Sequence, residues 1–245
     1  MFRTISLVKR KPGLTPRQFR DYFESTHRVL GEKAINGFGL AYDRYYLAPM
    51  PGESAEPVCD AVVHMCFPDR AAFARCTAAV ENDPATAKLF AQDDLNCIDR
   101  ANTTRFAAED SFSRLDPVPA SDTIFRTVWF ARHRPDMTHE QCRAYYERKH
   151  RLVGEYLVNG TAYCYDRHFL SAIAPGAPEP YYTFVMEMNF PSADHFMQMG
   201  AGIMADPTLS RFIAEDEARF IDRDSAVHYM AALCTSALEV PAAAA

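Results

Sequence analysis

The sequence predicts an α+β protein built from two ferredoxin-like domains in tandem, whose antiparallel sheets pack into a pseudo-dimeric α/β barrel. Three observations predict it. The first half of the chain recurs in the second half at one constant offset. Each half reads in the order β-α-β-β-α-β, the split βαβ arrangement. Such a sheet carries helices on one face only, so its other face needs cover, and a second copy supplies it.

The repeat is read residue by residue. Phe2-Arg3-Thr4 corresponds to Phe125-Arg126-Thr127, Thr15 and Gln18 to Thr138 and Gln141, and His27-Arg28 to His150-Arg151. Tyr42-Asp43-Arg44 corresponds to Tyr165-Asp166-Arg167, Asp83-Pro84 to Asp206-Pro207, and Ile98-Asp99-Arg100 to Ile221-Asp222-Arg223. Every anchor is displaced by 123 residues, with no net insertion between them. A period of this length signals duplicated domains, because solenoid units recur every 20–50 residues. The organisation predicted is a first copy at 1–112, a Pro-rich linker at 113–121, a second copy at 122–236 and a disordered tail at 237–245.

Within the first copy, residues 2–9 alternate and are rich in β-formers, which predicts a strand. Thr15 with Gln18, and Thr138 with Gln141, have the spacing of a capping box, so a helix starts at each. The first runs to about Gly31, with Phe19, Phe23, Thr26 and Leu30 along one face. Strands follow around 38–48 and 58–67. Pro68-Asp69 and Pro191-Ser192 open second helices. A short helix near 86–95 leads into a fourth strand at about 98–107.

Composition narrows the function classes. Hydrophobic residues make up 48% and charged residues 24%, the usage of an ordinary globular protein rather than a disordered one. The net charge is −6 without a basic run, which argues against nucleic-acid and anionic-membrane partners. No apolar leader or membrane-length apolar stretch is visible, so a cytoplasmic location is expected. The seven cysteines lack any Cys-x-x-Cys spacing and differ in position between copies, which predicts reduced thiols. Phosphate loops, dinucleotide fingerprints, Gly-x-Ser-x-Gly and His-Glu-x-x-His are all missing, so neither metal nor cofactor is expected.

Lys11 to His27, reading K-P-G-L-T-P-x-x-F-x-x-Y-F-x-x-x-H, resembles the opening of EthD domains. Asp216-Glu217-Ala218-Arg219-Phe220-Ile221-Asp222-Arg223 resembles their closing motif, and Asp93 to Arg100 is a diverged version of it. The second opening departs, with Arg134-Pro135-Asp136-Met137. The resemblance covers nearly the whole chain, twice. It implies the dimeric α/β-barrel superfamily, which includes cofactor-free monooxygenases, cyclases, lactone isomerases and haem-handling enzymes. It also implies a role with small apolar, often aromatic compounds, by analogy of fold alone.

His27 and His150 stand late in the first helix of each copy, and imidazole is the side chain best suited to proton transfer near neutral pH. Tyr22 and Tyr145 precede them by five residues and are candidates to bind substrate, against simple packing, which is favoured because a regular α-helix does not place that spacing on one face. Alternation turns Ala61, Val63, Met65 and Phe67 toward the helices, and His64 toward the barrel interior. Glu187 is the counterpart of His64, so the two form a candidate acid/base pair or a structural polar pair at the seam. Tyr42 with Arg44, and Tyr165 with Arg167, share a strand face and are candidates to bind a phenol, carboxylate or carbonyl, against ion pairing with a helix. Trp129, the only Trp, stands where copy one has Ser6 and is expected to face the interior and narrow one half. The function expected is a cofactor-independent lyase acting on a small apolar, aromatic compound. The alternatives are a non-catalytic binding or accessory protein, and a cofactor-free or haem-dependent oxygenase. The duplication supplies an internal pseudo-dimer, and pairing of two chains into a homodimer stays open.

Overall fold

The computed structural model of the protein describes residues 1–239. The first copy runs β1 (Phe2–Val8), α1 (Pro16–Tyr22), α2 (Arg28–Ile35), β2 (Ala41–Ala48), β3 (Ala61–Phe67), α3 (Arg70–Glu81), α4 (Pro84–Cys97) and β4 (Thr104–Phe112). The second repeats it as β5 (Phe125–His133), α5 (His139–Tyr145), α6 (Arg151–Val158), β6 (Cys164–Ala172), β7 (Phe184–Phe190), α7 (Ala193–Ala205), α8 (Pro207–Glu217) and β8 (Ile221–Thr235). All eight strands pair antiparallel in one closed barrel, in the order β1-β3-β2-β8-β5-β7-β6-β4.

The two four-stranded sheets meet edge to edge. β2 pairs with β8, with Asp43 opposite Thr235, and β4 pairs with β6, with Phe112 opposite Asp166. Closure satisfies the backbone groups that open edges would expose. Ile5, Leu7, Tyr45, Val62, Phe106, Val128, Phe130, Leu170 and Val185 fill the barrel. A separate core lies between each sheet and its own helices.

Local chemistry starts the helices where the sequence places them. Thr15 and Gln18 form a reciprocal capping box, as do Thr138 and Gln141. Such a cap is worth about 1 kcal/mol. Asp83 and Asp206 cap α4 and α8, each followed by a proline in the first turn. The fourth strand differs from expectation. α4 continues to Cys97, and Asp99 then accepts from Ala101 N–H to cap a short 3₁₀ turn at Arg100–Asn102. Pairing therefore starts at Thr104, with a single bridge between Arg10 and Ile98 before it.

The first helix of each copy is longer than expected and is not uniform. A π-helical turn, Phe23–His27, joins α1 to α2, and Tyr146–His150 joins α5 to α6. Such a turn inserts one residue and rotates the rest of the helix about its axis. All seven cysteines are unpaired. Of the expected tail, residues 240–245 lie outside the described residues, whereas Leu238 packs on the first core and Glu239 N–H bonds Asn36. No helix among the described residues is long and apolar enough to cross a membrane.

Candidate active site

The π turns decide the geometry around the two helix histidines. His27 Nδ1 lies 2.6 Å from Asp93 Oδ2, and Tyr22 Oη donates to Asp93 Oδ1 at 2.8 Å. In the second copy His150 Nδ1 is 2.8 Å from Asp216 Oδ2, and Tyr145 Oη donates to Asp216 Oδ1 at 2.7 Å. The sequence expectation that Tyr and His lie on different faces is therefore corrected. The inserted residue brings positions five apart onto one side of the helix. Each carboxylate fixes the imidazole with Nδ1–H as donor, which leaves Nε2 able to accept a proton. Burial raises the Tyr22 and Tyr145 phenols, and the neighbouring aspartates raise them further, so both remain donors.

The two copies part company in the space beside that histidine. In copy one a cleft of about 410 Å³ lies between sheet and helices. His27, Phe23, Tyr42, Val63, Phe90, Asp94 and Arg105 line it, with Ser6 at its floor. A second hollow of about 240 Å³ shares Gly31, Met65, Phe90 and Arg105 with it. In copy two Trp129 replaces Ser6, His228 replaces Arg105, Tyr146 replaces Phe23 and Met186 replaces Val63. The strand registers confirm the equivalence: Ser6 faces Arg105 and Val63, and Trp129 faces His228 and Met186. Trp129 stacks on His228 at 4.1 Å, and Tyr146 Oη lies 2.7 Å from Tyr165 Oη. These larger side chains take up the corresponding space. Trp129 belongs to the core between sheet and helices, so the expectation that it faces the barrel interior is corrected.

Arg44 and Arg167 are not open to a ligand. Both are 1% exposed. Arg44 donates to both Glu24 oxygens, to Tyr42 O and to Ser236 Oγ. Arg167 does the same with Glu147, Tyr165 O, Ser113 and Ser111. The substrate-binding role considered for the two arginines gives way to ion pairing with the adjacent helix. Tyr42 and Tyr165 are both buried; Tyr42 stands in the wall of the copy-one cleft, whereas Tyr165 is held by Tyr146.

His64 and Glu187 meet inside the barrel, as alternation predicts. His64 Nε2 is 3.0 Å from Glu187 Oε1, but the contact is poorly aligned and neither atom completes a good hydrogen bond. Arg3 Nη1 lies 3.1 Å from His64 Nδ1, and Arg3 Nε donates to Asp110. His168, which sequence reasoning passed over, joins them through Nδ1 to Asp110 at 2.8 Å. Burial pushes the Glu187 carboxyl up, yet the charges of His64 and His168 and a hydrogen bond from Tyr45 hold it at about 2. His64, His168 and Glu187 have donor atoms within 4.8 Å of one another, as do His27, Asp93 and Cys97. In the first set Glu187 already faces both imidazoles, and His168 Nδ1 is tied to Asp110. In the second, Asp93 already serves Tyr22 and His27. Neither set takes a cation without giving up these bonds.

The largest hollow, about 790 Å³, lies elsewhere, between α1 and the strands β5 and β8. It contains no histidine, and its Glu24 is committed to Arg44. The copy-one cleft is the better candidate because a carboxylate-held histidine lines it.

Comparison with known proteins places the chain. The EthD domain model matches residues 11–101 and again 134–224. The chain belongs to the EthD domain family. Among solved structures, an anthrone oxidase-like protein matches with a TM-score of 0.62 at 7% identity, covering 98% of this chain and 95% of its own. A provisionally named monooxygenase from Fusobacterium nucleatum subsp. nucleatum matches with a TM-score of 0.53 at 10% identity, covering 96% and 93%. At these identities the likeness is one of fold, the dimeric α/β barrel. No curated protein sequence matches the chain.

Proposed function

We propose that this EthD protein is a cofactor-independent lyase whose working site is the copy-one cleft, with His27 as general acid/base. The observation that carries this reading is the asymmetry between copies. Both keep a carboxylate-held histidine, but Ser6 and Phe23 stand beside the copy-one cleft where the second copy has Trp129, stacked on His228, and Tyr146, bonded to Tyr165. Phe23, Val63, Met65 and Phe90 give the cleft apolar walls suited to a small aromatic compound.

In a dehydration, His27 Nε2 takes a proton from carbon beside a carbonyl or ring. The electron pair forms the new double bond, and the leaving hydroxyl departs as water with the proton returned by the imidazolium. In a decarboxylation, the bond to the carboxylate breaks, carbon dioxide leaves, and the imidazolium protonates the resulting carbanion. Asp93 keeps the ring in one tautomer throughout. Burial keeps the Tyr42 phenol protonated, so it is a donor for negative charge developing at the cleft wall.

The test is a paired substitution, assayed on phenolic and hydroxy-aromatic substrates. His27→Ala is expected to lower kcat by about 10²–10⁴-fold, while His150→Ala leaves it within a few fold. Equal loss in both, or in neither, removes the assignment. Oxygen uptake in the same assay would instead favour the cofactor-free oxygenase, in which the carbanion formed by His27 is captured by dioxygen.

A further inference from the structure

We infer that the copy-one cleft binds an anionic aromatic compound, a carboxylate or phenolate, through Arg105. This rests on the reading of that cleft as the working site and names the class of molecule it takes.

Arg105 projects from β4 into both hollows of copy one. Its Nε donates to Ser6 Oγ at 3.0 Å, and no carboxylate lies within ion-pair distance of its guanidinium among the described residues. The other charges around the cleft are already matched. Arg100 and Asp94 approach one another at the rim, 3.7 Å apart, and His27 is held by Asp93. Arg105 is therefore the unbalanced cation of the cleft. Its side chain stays open to the cleft, yet protein crowds it enough to push its pKa below the ordinary range. An unpaired guanidinium that faces the cleft is free to take an anion, and its flat fork matches a carboxylate or phenolate oxygen.

The second copy provides an internal control. At the same register point it carries His228, stacked under Trp129 and pushed by burial toward its neutral form. The closed half thus has neither the space nor the cation, and the open half has both. The cleft volume, about 410 Å³, lies within the usual range of small-molecule sites, about 300–1,000 Å³.

The test uses the full chain and two probes of one shape, 2-naphthoate and its neutral amide 2-naphthamide, measured by calorimetry. The expected result is at least tenfold tighter binding of the naphthoate. Arg105→Met should erase that preference while leaving the amide affinity unchanged, and Arg105→Lys should keep part of it, with thermal melts confirming the fold of each. No preference in the natural protein, no naphthoate binding at millimolar concentration, or a preference that survives Arg105→Met overturns the inference. Ser6→Trp separates the two readings. Loss of both probes in that variant locates binding in the cleft, so a failed Arg105 result then counts against the anion anchor alone. Unaltered binding in Ser6→Trp counts against the cleft itself.

Discussion

Tyr22 and His27 share one carboxylate, with Asp93 receiving the phenol on one oxygen and the imidazole on the other. Asp93 is a positioning residue in this arrangement, since it acts through the ring it holds. Asp93→Asn is expected to keep the fold and lower kcat by about 10²-fold or more, because an amide no longer imposes the Nδ1–H tautomer. Tyr22→Phe should cost less than tenfold. It leaves Asp93 with one fewer donor and hence more able to stabilise the imidazolium, so the acidic limb of the kcat/KM profile should move to higher pH. A profile that does not move would show that Tyr22 only packs.

Arg44 and Glu24 supply a pH-dependent part of the stability. Burial pushes the Glu24 carboxyl up, but hydrogen bonds from Arg44 and Tyr46 and the charges of Arg44 and Arg28 outweigh it and leave its pKa lowered. A carboxyl depressed in the folded state stabilises above its unfolded value, about 4.3, and the contribution fades as pH falls through the folded value. Glu24→Ala strands a guanidinium that is 1% exposed. It should destabilise by about 3 kcal/mol at pH 7, and the gap to the natural protein should narrow in acid. Denaturant unfolding at pH 7 and pH 3 measures both; a gap that is constant across that range excludes the ionic account.

Gly154 and Gly31 set how closely their helices approach the second strands. A Cβ at Gly31 would stand 2.8 Å from Tyr42 Oη, and one at Gly154 would overlap the Tyr165 hydroxyl more severely. Tyr165 is also tied to Tyr146, so it cannot swing aside cheaply. Gly154→Ala is expected to cost about 2–3 kcal/mol and Gly31→Ala about 1 kcal/mol, read from thermal melts. The reverse order would mean that the Tyr146–Tyr165 pair is softer than its geometry implies.

Much of this architecture could be read in the sequence. The constant register gave the two copies, and strand alternation placed His64 and Glu187 on one interior face, where they meet. The helix site is harder to read, because the 3.6-residue period does not hold through Phe23–His27. One extra residue there changes the phase, and no local residue type announces it. Asp93 and Asp216 stood in the closing motif, but sequence alone did not tie them to histidines 66 residues earlier. Arg105 falls inside the fourth strand as the sequence predicts it, but the residues of one copy alone give no sign of the cleft it faces. The visible signal is the mismatch of Arg105 with His228, of the same kind as that of Ser6 with Trp129. His168 faces the barrel where the first copy has Tyr45, so no matching residue flagged it.

The barrel closes through two seams that both belong to one polypeptide. In an assembly of two identical chains, symmetry writes every substitution into both sites at once. A tryptophan that fills one cleft would then fill the other, and a cation introduced for a ligand would appear where none is wanted. Covalent fusion lifts that constraint. One half is free to harden into a scaffold, with Trp129, Tyr146 and His228 packed tight, while its twin stays hollow and can adapt its walls to a new molecule without endangering the closure of the whole.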